Sequence, residues 1–539
     1  MKDSLELTLE LTVAGRKFEI PGANIKSLVA TIQTYGFSVQ LGFWLSEERD
    51  QDDLLPQFVR QDPITVKLEL LPHFKPKNEN IEALNLEGFV TDKELVQELT
   101  IDNVNLKGAP VLYRHYRIEF ADPAQVVWKQ HYPCDLQVDC SVKDLIEENN
   151  PADVKLDFDW QEFEKIFAIN TLPCLHGAGK ASFYDFVLGY AETMDAVFSY
   201  DLIANRYSLS QKKKNDQAAS EMRQEEVANI RIKFPSSIRY NDRLLNAFSE
   251  QPEIKKTSRA DTLPGVMRDI LIREPISSEF ENAFELETQK QRSRKHVLQL
   301  QHSRFPQLSY RPGSLFTFTG GLWSDKLFTK DNKYRVISMH IVAQADKSEP
   351  DADLNMPYTV YRLDMTSILE TEAEEAPNYP EFKEPLFPVQ VEGRVLSEQG
   401  GEDDDSWQVY EHPQQMTDQY RVVIPTFEDR QVVVPFEPLF APGTFYFPAY
   451  KDQRVLVELD FHRARIVRFL DWRSGGRLPM DSQGDHLLLG KNQQSNTSIS
   501  HVYVDNKPQL KMKRTSSDDT EVIQLEEGNI ILETREEQS

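Results

Sequence analysis

The stretch 420–472 constrains this chain most. It is a succession of short alternating runs with no room for a helix between them. Val422/Ile424, Val432/Val434, Phe445/Phe447 and Val455/Val457/Leu459 recur every second residue, so each run has one face for a core. Pro425, Pro435, Pro438, Pro442, Gly443 and Pro448 fall between the runs, where a missing ladder donor does no harm. The spacing predicts strands at 420–424, 431–435, 444–448, 454–461 and 465–470, led in by a strand at 389–396. Strands this short need a small closed barrel.

A five-stranded barrel of the oligonucleotide/oligosaccharide-binding (OB) type fits that pattern. At 539 residues the whole chain is too long for one core, and its length suggests about three or four domains. Asp and Glu number 87 against 61 Lys and Arg, a formal charge of −26 that repels phosphate backbones and disfavours a nucleic-acid partner. The basic segment Lys290–His296 reads as a solvated face. Three cysteines (Cys134, Cys140, Cys174) are too few and too odd for a disulfide framework, and fit a reducing compartment. The N-terminal Leu residues alternate with polar ones, unlike a signal peptide, and no apolar run approaches the ~18–20 residues of a membrane span. The expectation is a soluble protein made and assembled in the cytoplasm.

Residues 1–125 read as a mainly antiparallel barrel or sandwich, opening on the run Leu5, Leu7, Leu9, Leu11, Val13. The period changes at Ser141–Asn150, where Ser141 caps a helix bearing Val142, Leu145 and Ile146. A second helix starts at Ser182, with Asp185 at the capping-box position and Phe183, Phe186, Val187 and Tyr190 on one face. Strands at 197–200 and 207–209 make 130–210 an α+β insert. Asp216–Asn229 is a linker or an exposed helix. Strands return at 230–234, 236–240, 295–301, 313–320 and 333–343, interrupted by a charged, irregular excursion at 257–292. The acidic, Pro-bearing stretch to Pro385 is a linker. After Trp472 the tail has very short strands with turns at Asp505-Asn506 and Glu527–Asn529. It is too small to bury a core alone, which implies partners.

The search for chemistry yields no catalytic, cofactor or metal residue. His176–Ser182 carries Gly and Lys like a phosphate loop, but Cys174 and Ala181 stand where that loop needs Gly and Ser/Thr. It reads as a Gly-rich lead-in to the 182 helix. His131, Cys134, Cys140, Cys174 and His176 do not have the paired spacing of a structural zinc site, so buried thiols are expected. Glu402–Asp405 is a solvated acidic loop.

The order of Ala441-Pro442-Gly443, an aromatic strand and Asp452–Leu459 resembles the barrel of contractile-tail spikes, whose run is roughly Gly-x-x-Phe-x-Pro-x-x-Gly-Asp-x-Val-Leu-Val-x-Phe. Gly443, Phe447, Pro448, Asp452, Val455, Leu456, Val457 and Leu459 match it, while Lys451 replaces the family's second Gly. Ser182–Gly189 with Phe198–Asp201, Tyr310–Gly313 and Lys333–His340 resemble further family segments. Together they make the chain similar to the VgrG-like spike-hub proteins of type VI secretion, phage-tail-like particles and contractile phages. The resemblance implies a mainly β fold with an α+β insert. It divides the chain into a tube-like barrel at 1–129, the insert at 130–229, and a second tube-like barrel at 230–370. A linker at 371–388, the OB barrel at 389–474 and a short intertwined β-prism or β-helix at 475–539 follow. It further implies a non-enzymatic homotrimer that meets an Hcp-like inner tube, baseplate proteins, a conical PAAR-type tip and effector cargo, and leaves the cell when the machine fires. From the residues alone, a carbohydrate- or polymer-acting β-rich enzyme or binding module is the alternative.

Overall fold

The structure is a computed structural model. It describes residues 2–47, 51–75, 81–101, 110–151, 154–177, 179–214, 218–235, 240–259, 262–292, 294–320, 322–354, 356–401, 406–412, 415–436, 448–470, 483–492 and 494–536. The chain forms two compact units. One comprises 1–134, 141–165 and 173–385; the other comprises 135–140, 166–172 and 386–539. Both are mainly β, with few helices.

In the first unit the strands are β1 (Lys2–Val13), β2 (Arg16–Pro21), β3 (Ile25–Gln33), β4 (Gly36–Ser46), β5 (Ile64–Pro72), β6 (Leu84–Ile101) and β7 (Pro110–Ala121). After the insert strands β8 (Cys134–Ser141), β9 (Leu156–Asp159), β10 (Ile166–Pro173), β11 (Val197–Asp201) and β12 (Arg206–Ser210) come β13 (Ser220–Glu221) and β14 (Val227–Lys233). Then follow β15 (Asn241–Asn246), β16 (Glu253–Lys256), β17 (Met267–Ile272), β18 (Val297–His302), β19 (Leu315–Thr317), β20 (Tyr334–Ala345) and β21 (Thr359–Thr371).

Eight of these close a ring in the order β1, β5, β6, β7, β4, β3, β20, β21 and back to β1. The leucines of β1 point inward as their alternation requires. Leu11 pairs with Val66 and Leu9 with Leu68, and Phe43, Ile118, Ile32 and Ile341 on the other ring strands are buried as well. The barrel expected within 1–129 therefore closes only with two strands from 334–371. Length explains the sharing. The first four residues of β21 pair with β1, and residues 366–370 pair with β18. The far half of the β20–β21 hairpin thus carries a second sheet, β13–β19–β20–β21–β18–β14.

β14 and β18 are hairpin partners, and the excursion between them is a small module rather than an irregular loop. Its sheet β16–β15–β17 and the helix Ser277–Lys290 bury Leu244 and Phe280. That helix was illegible in the sequence because Ile276, with no side-chain cap, precedes it and its surface is acidic and polar. The two expected insert helices form at Val142–Asn149 and Phe183–Thr193, each with a complete capping box, Ser141/Asp144 and Ser182/Asp185. The stretch read as linker or helix at 216–229 contains β13 and the start of β14; residues 236–239 lie outside the described residues.

The acidic stretch after β21 is no loose tether up to Pro385. Tyr379 donates its hydroxyl to the carbonyls of Ala191 and Ala196, and the Lys383 amide donates to Asp185 at 3.0 Å. Gly189 permits this approach, since a Cβ there would sit 3.2 Å from Pro385 and 3.4 Å from Phe382. Arg294 donates to Asn378 Oδ1 and the Pro377 carbonyl, Arg292 to the Glu375 carbonyl, and the Lys295 amide to Glu374. The basic segment 290–296 is thus the seat of this acidic strap, not merely a solvated face. Two charge runs distant in sequence satisfy each other.

The second unit contains the β8–β10 ribbon and the strands β22 (Val389–Leu396), β23 (Tyr410–His412), β24 (Gln415–Ile424), β25 (Arg430–Pro435), β26 (Arg454–Leu459) and β27 (Ala464–Phe469). Pairing runs β25–β24–β22–β26–β27, and a parallel bridge from Phe436 to Ile466 returns β27 to β25. These five strands thus run round into a ring, with β23 added to the edge of β24. The lead-in strand β22 is a full member of it; of the strand expected at 444–448, only Pro448 lies within the described residues. Val395, Val422, Ile424, Val434, Val455, Val457 and Ile466 fill its core with no exposed surface. The β8–β10 ribbon belongs with this unit although it falls in the insert by sequence. Phe461 O accepts from the Thr171 amide at 2.9 Å, and His462 stacks on Phe167 at 3.8 Å.

Candidate interaction surface

The tail builds a third kind of β-structure. Strands β28 (Asp485–Asn492), β29 (Ser495–Val504), β30 (Lys507–Ser516), β31 (Asp519–Glu526) and β32 (Asn529–Arg535) form one antiparallel meander in chain order. They have seven to ten residues each, longer than the very short strands expected. The turns explain the register. Asp505 (φ 50) and Asn506 (φ 65) occupy a two-residue hairpin that needs left-handed backbone, and Glu527 (φ 44) with Gly528 (φ 81) repeats it.

The register places apolar residues in line. Leu487, Ile499, Met512, Ile523 and Leu532 lie opposite one another across all five strands. The next row on that face is Asp485, His501, Leu510, Leu525 and Ile530, and Tyr503 extends it. The reverse face presents Ser498, Ser500, Gln509, Lys511, Lys513, Gln524, Glu526 and Glu533 together with Leu488, Val502, Val522 and Ile531, of which Val522 is buried. Both faces carry apolar residues, and among the described residues the face of the Leu487–Leu532 row is the more exposed. Leu532 is 74% exposed, Ile530 73% and Tyr503 68%. Each such side chain gains about 1.5–3 kcal/mol on full burial. Beyond the apolar face, β28 and β32 each pair on one side only among the described residues. A contiguous apolar face of this kind marks a protein contact.

The other residues weighed from sequence have ordinary roles. Ser182 and Asp185 cap the 183–193 helix reciprocally, so the Gly-rich lead-in serves the cap. His131 Nε2 is 2.9 Å from the Asn149 carbonyl, and the His176 ring meets Tyr132. All three cysteines are unbridged; burial pushes the Cys174 thiol well above its usual range. Among the described residues no group of three or more His, Cys, Asp or Glu could hold a metal. The acidic loop 402–405 lies outside the described residues. No helix among them is long and apolar enough to cross a membrane.

Sequence reasoning missed one polar cluster in the core of the second sheet. His302 Nε2 lies 2.8 Å from Ser367 Oγ, which also meets the Tyr310 hydroxyl at 2.6 Å. All three are buried, so the arrangement is sealed from any substrate. Burial pulls the His302 pKa down to about 4. Alternation alone places His302 inward beside Leu298 and Leu300, and that was the available signal.

Structural comparison decides what this architecture is. A chain of the Francisella PdpA–VgrG complex, in its half-lidded form, superposes with a TM-score of 0.72 at 13% identity over 99% of this chain and 88% of that one. The chain has a VgrG-like spike-hub fold. The lidless form of the same complex gives a TM-score of 0.71 at 12% identity, covering 99% of both chains. An E. coli component of the type VI secretion system, described as similar to phage T4 tail proteins, aligns at 0.48 over 85% of this chain with 11% identity. No family model and no curated protein matches the sequence.

Proposed function

We propose that the chain is the structural hub and spike of a contractile injection machine and works as a homotrimer. The observation that carries this reading is the coreless tail. A five-stranded sheet with an exposed apolar row and, among the described residues, two open edges becomes stable once identical copies wrap those rows together. Three chains around one axis do so with closed symmetry. The two linked β-structures of the first unit, presented three times, would match a six-fold inner tube and baseplate, while the tail stiffens the piercing point. Energy for puncture would come from the machine, and this chain would do no catalysis. The similar PdpA–VgrG structures support partners of VgrG type, and cargo and a conical tip protein are further expected partners. On this reading the protein is assembled in the cytoplasm and leaves the cell when the machine fires.

Mass by light scattering tests the proposal. The expected result is three times the 62.3 kDa chain mass at micromolar concentration. Met512→Asp, which puts a charge in the middle of the apolar row, should weaken that assembly by about a hundredfold or more. A monomeric wild-type chain, or a trimer indifferent to Met512→Asp, would overturn it.

A further inference from the structure

The small module between β14 and β18 has a sheet, β16–β15–β17, with two unlike faces. One face is covered by the helix Ser277–Lys290, and Phe280 and Leu244 are buried there. Basic side chains of the sheet meet carboxylates of the helix along that contact. Lys255 pairs with Glu281 and lies over the rings of Phe280 and Phe284, and Arg268 pairs with Glu287 at 3.0 Å. What this sheet accepts on its covered face is an amphipathic helix with acidic flanks.

The other face repeats that chemistry and has no cover among the described residues. Register sets Ile254, Leu245 and Leu271 in one row across β16, β15 and β17, with Ile254 63% and Leu271 71% exposed. The neighbouring row is Lys256, Arg243 and Asp269, and Met267 lies beyond it, 41% exposed. Asp269 is held by Arg243, whose Nε donates at 2.8 Å, so the charge left over in this row is the exposed Lys256. An apolar face with a surplus cation is the exception on a chain of formal charge −26. It selects a partner with carboxylates beside an apolar stripe and disfavours a basic one. The dimensions fit as well. The six paired residues of β15 and β17 span about 20 Å, and the outer strands lie about 10 Å apart. A helix of 14 residues, the length of Ser277–Lys290, covers about 21 Å by ~10 Å.

We infer that this face docks an acidic amphipathic helix of another protein, completing a helix–sheet–helix sandwich. Among the described residues, the helices of eight residues or more, 142–149, 183–193 and 277–290, already bury side chains within this chain. A second copy therefore has no spare helix to offer. The docked helix would lay its apolar stripe on Ile254, Leu245 and Leu271. Its carboxylates would sit over Lys256, as Glu281 does for Lys255 on the covered face. The inference stands apart from the trimeric reading, because the tail takes no part in it.

The test is fluorescence anisotropy on the full-length chain with a labelled helical peptide, leucine at i, i+3, i+4 and i+7 and glutamate on its flanks. A control peptide carries lysine in place of glutamate. The acidic peptide should bind at micromolar concentration, and the lysine peptide about tenfold more weakly. Leu271→Asp should weaken the acidic peptide by about tenfold or more, and Lys256→Glu should shift the preference towards the lysine peptide. Both side chains are exposed, so circular dichroism and mass should stay as in the wild type. No binding of either peptide, equal binding of the two, or binding indifferent to both substitutions would overturn the inference. A change of mass in Leu271→Asp would assign the face to a second copy. Flotation of the chain with anionic phospholipid vesicles, abolished by Leu271→Asp, would assign it to a membrane. Either result overturns the helix partner and leaves the hub reading to its own test.

Discussion

The eight-stranded ring and the tail sheet are written in the same two-residue alternation and end in opposite states. In the ring, β1 buries Leu5, Leu9, Leu11 and Val13 completely, because the strands curl until the last pairs with the first. In the tail, Leu487, Met512, Ile523 and Leu532 form an equally regular row that stays exposed among the described residues. The ring spends its apolar face on its own core, so its stability is a property of one chain. On the proposed trimeric reading, the tail's apolar row is covered by other copies and its stability depends on concentration.

The largest effect expected from this contrast is removal of 483–539. Light scattering should show the assembly dissociating at concentrations where the whole chain stays together, while the first unit keeps its fold by circular dichroism. A truncated chain that assembles as tightly as the whole one would erase the distinction. Next comes a matched pair of truncations. Leu9→Ala in the ring should cost about 2–5 kcal/mol at every protein concentration, read from denaturant melts. Leu532→Ala in the tail should change stability only through assembly, so its effect should fade once the protein is diluted below the range where it assembles.

A pH effect should be confined to the cored region. The His302 pKa lies near 4 against an ordinary 6.5, so the unfolded chain takes up a proton that the folded core refuses. The stability it confers is complete above about pH 6.5 and is lost as pH falls towards 4, worth on the order of 3 kcal/mol. Melts across that range should show this loss, and His302→Gln should flatten it. The smallest effect is expected at the strap. Gly189→Val places atoms against Pro385 and Phe382 and should cost about 1–3 kcal/mol. Limited proteolysis should then cut more quickly within 371–388; unchanged cleavage would return that stretch to the status of a loose linker.

The tail sheet was half visible in the sequence. Alternation and turn residues announced its strands and hairpins. The alignment of Leu487, Ile499, Met512, Ile523 and Leu532 into one row was not visible, because register depends on where each hairpin turns and shifts at Gly490/Asn492. The strap was misread for a related reason. Arg292 and Arg294 lie more than eighty residues from the carbonyls they bind, and charge composition cannot name a distant partner.

The sequence by itself determined which residues alternate, where helices are capped and where Pro and Gly interrupt. These are local consequences of backbone sterics and of hydrogen bonds spanning three or four residues. Only the tertiary structure decided that β20 and β21 close the first ring while carrying a second sheet. Only it brought residues 135–140 and 166–172 to the OB barrel and left the apolar face of the tail bare. Strand pairing is a long-range choice among edges of nearly equal local energy, and burial of the whole set, rather than any single strand's composition, makes it.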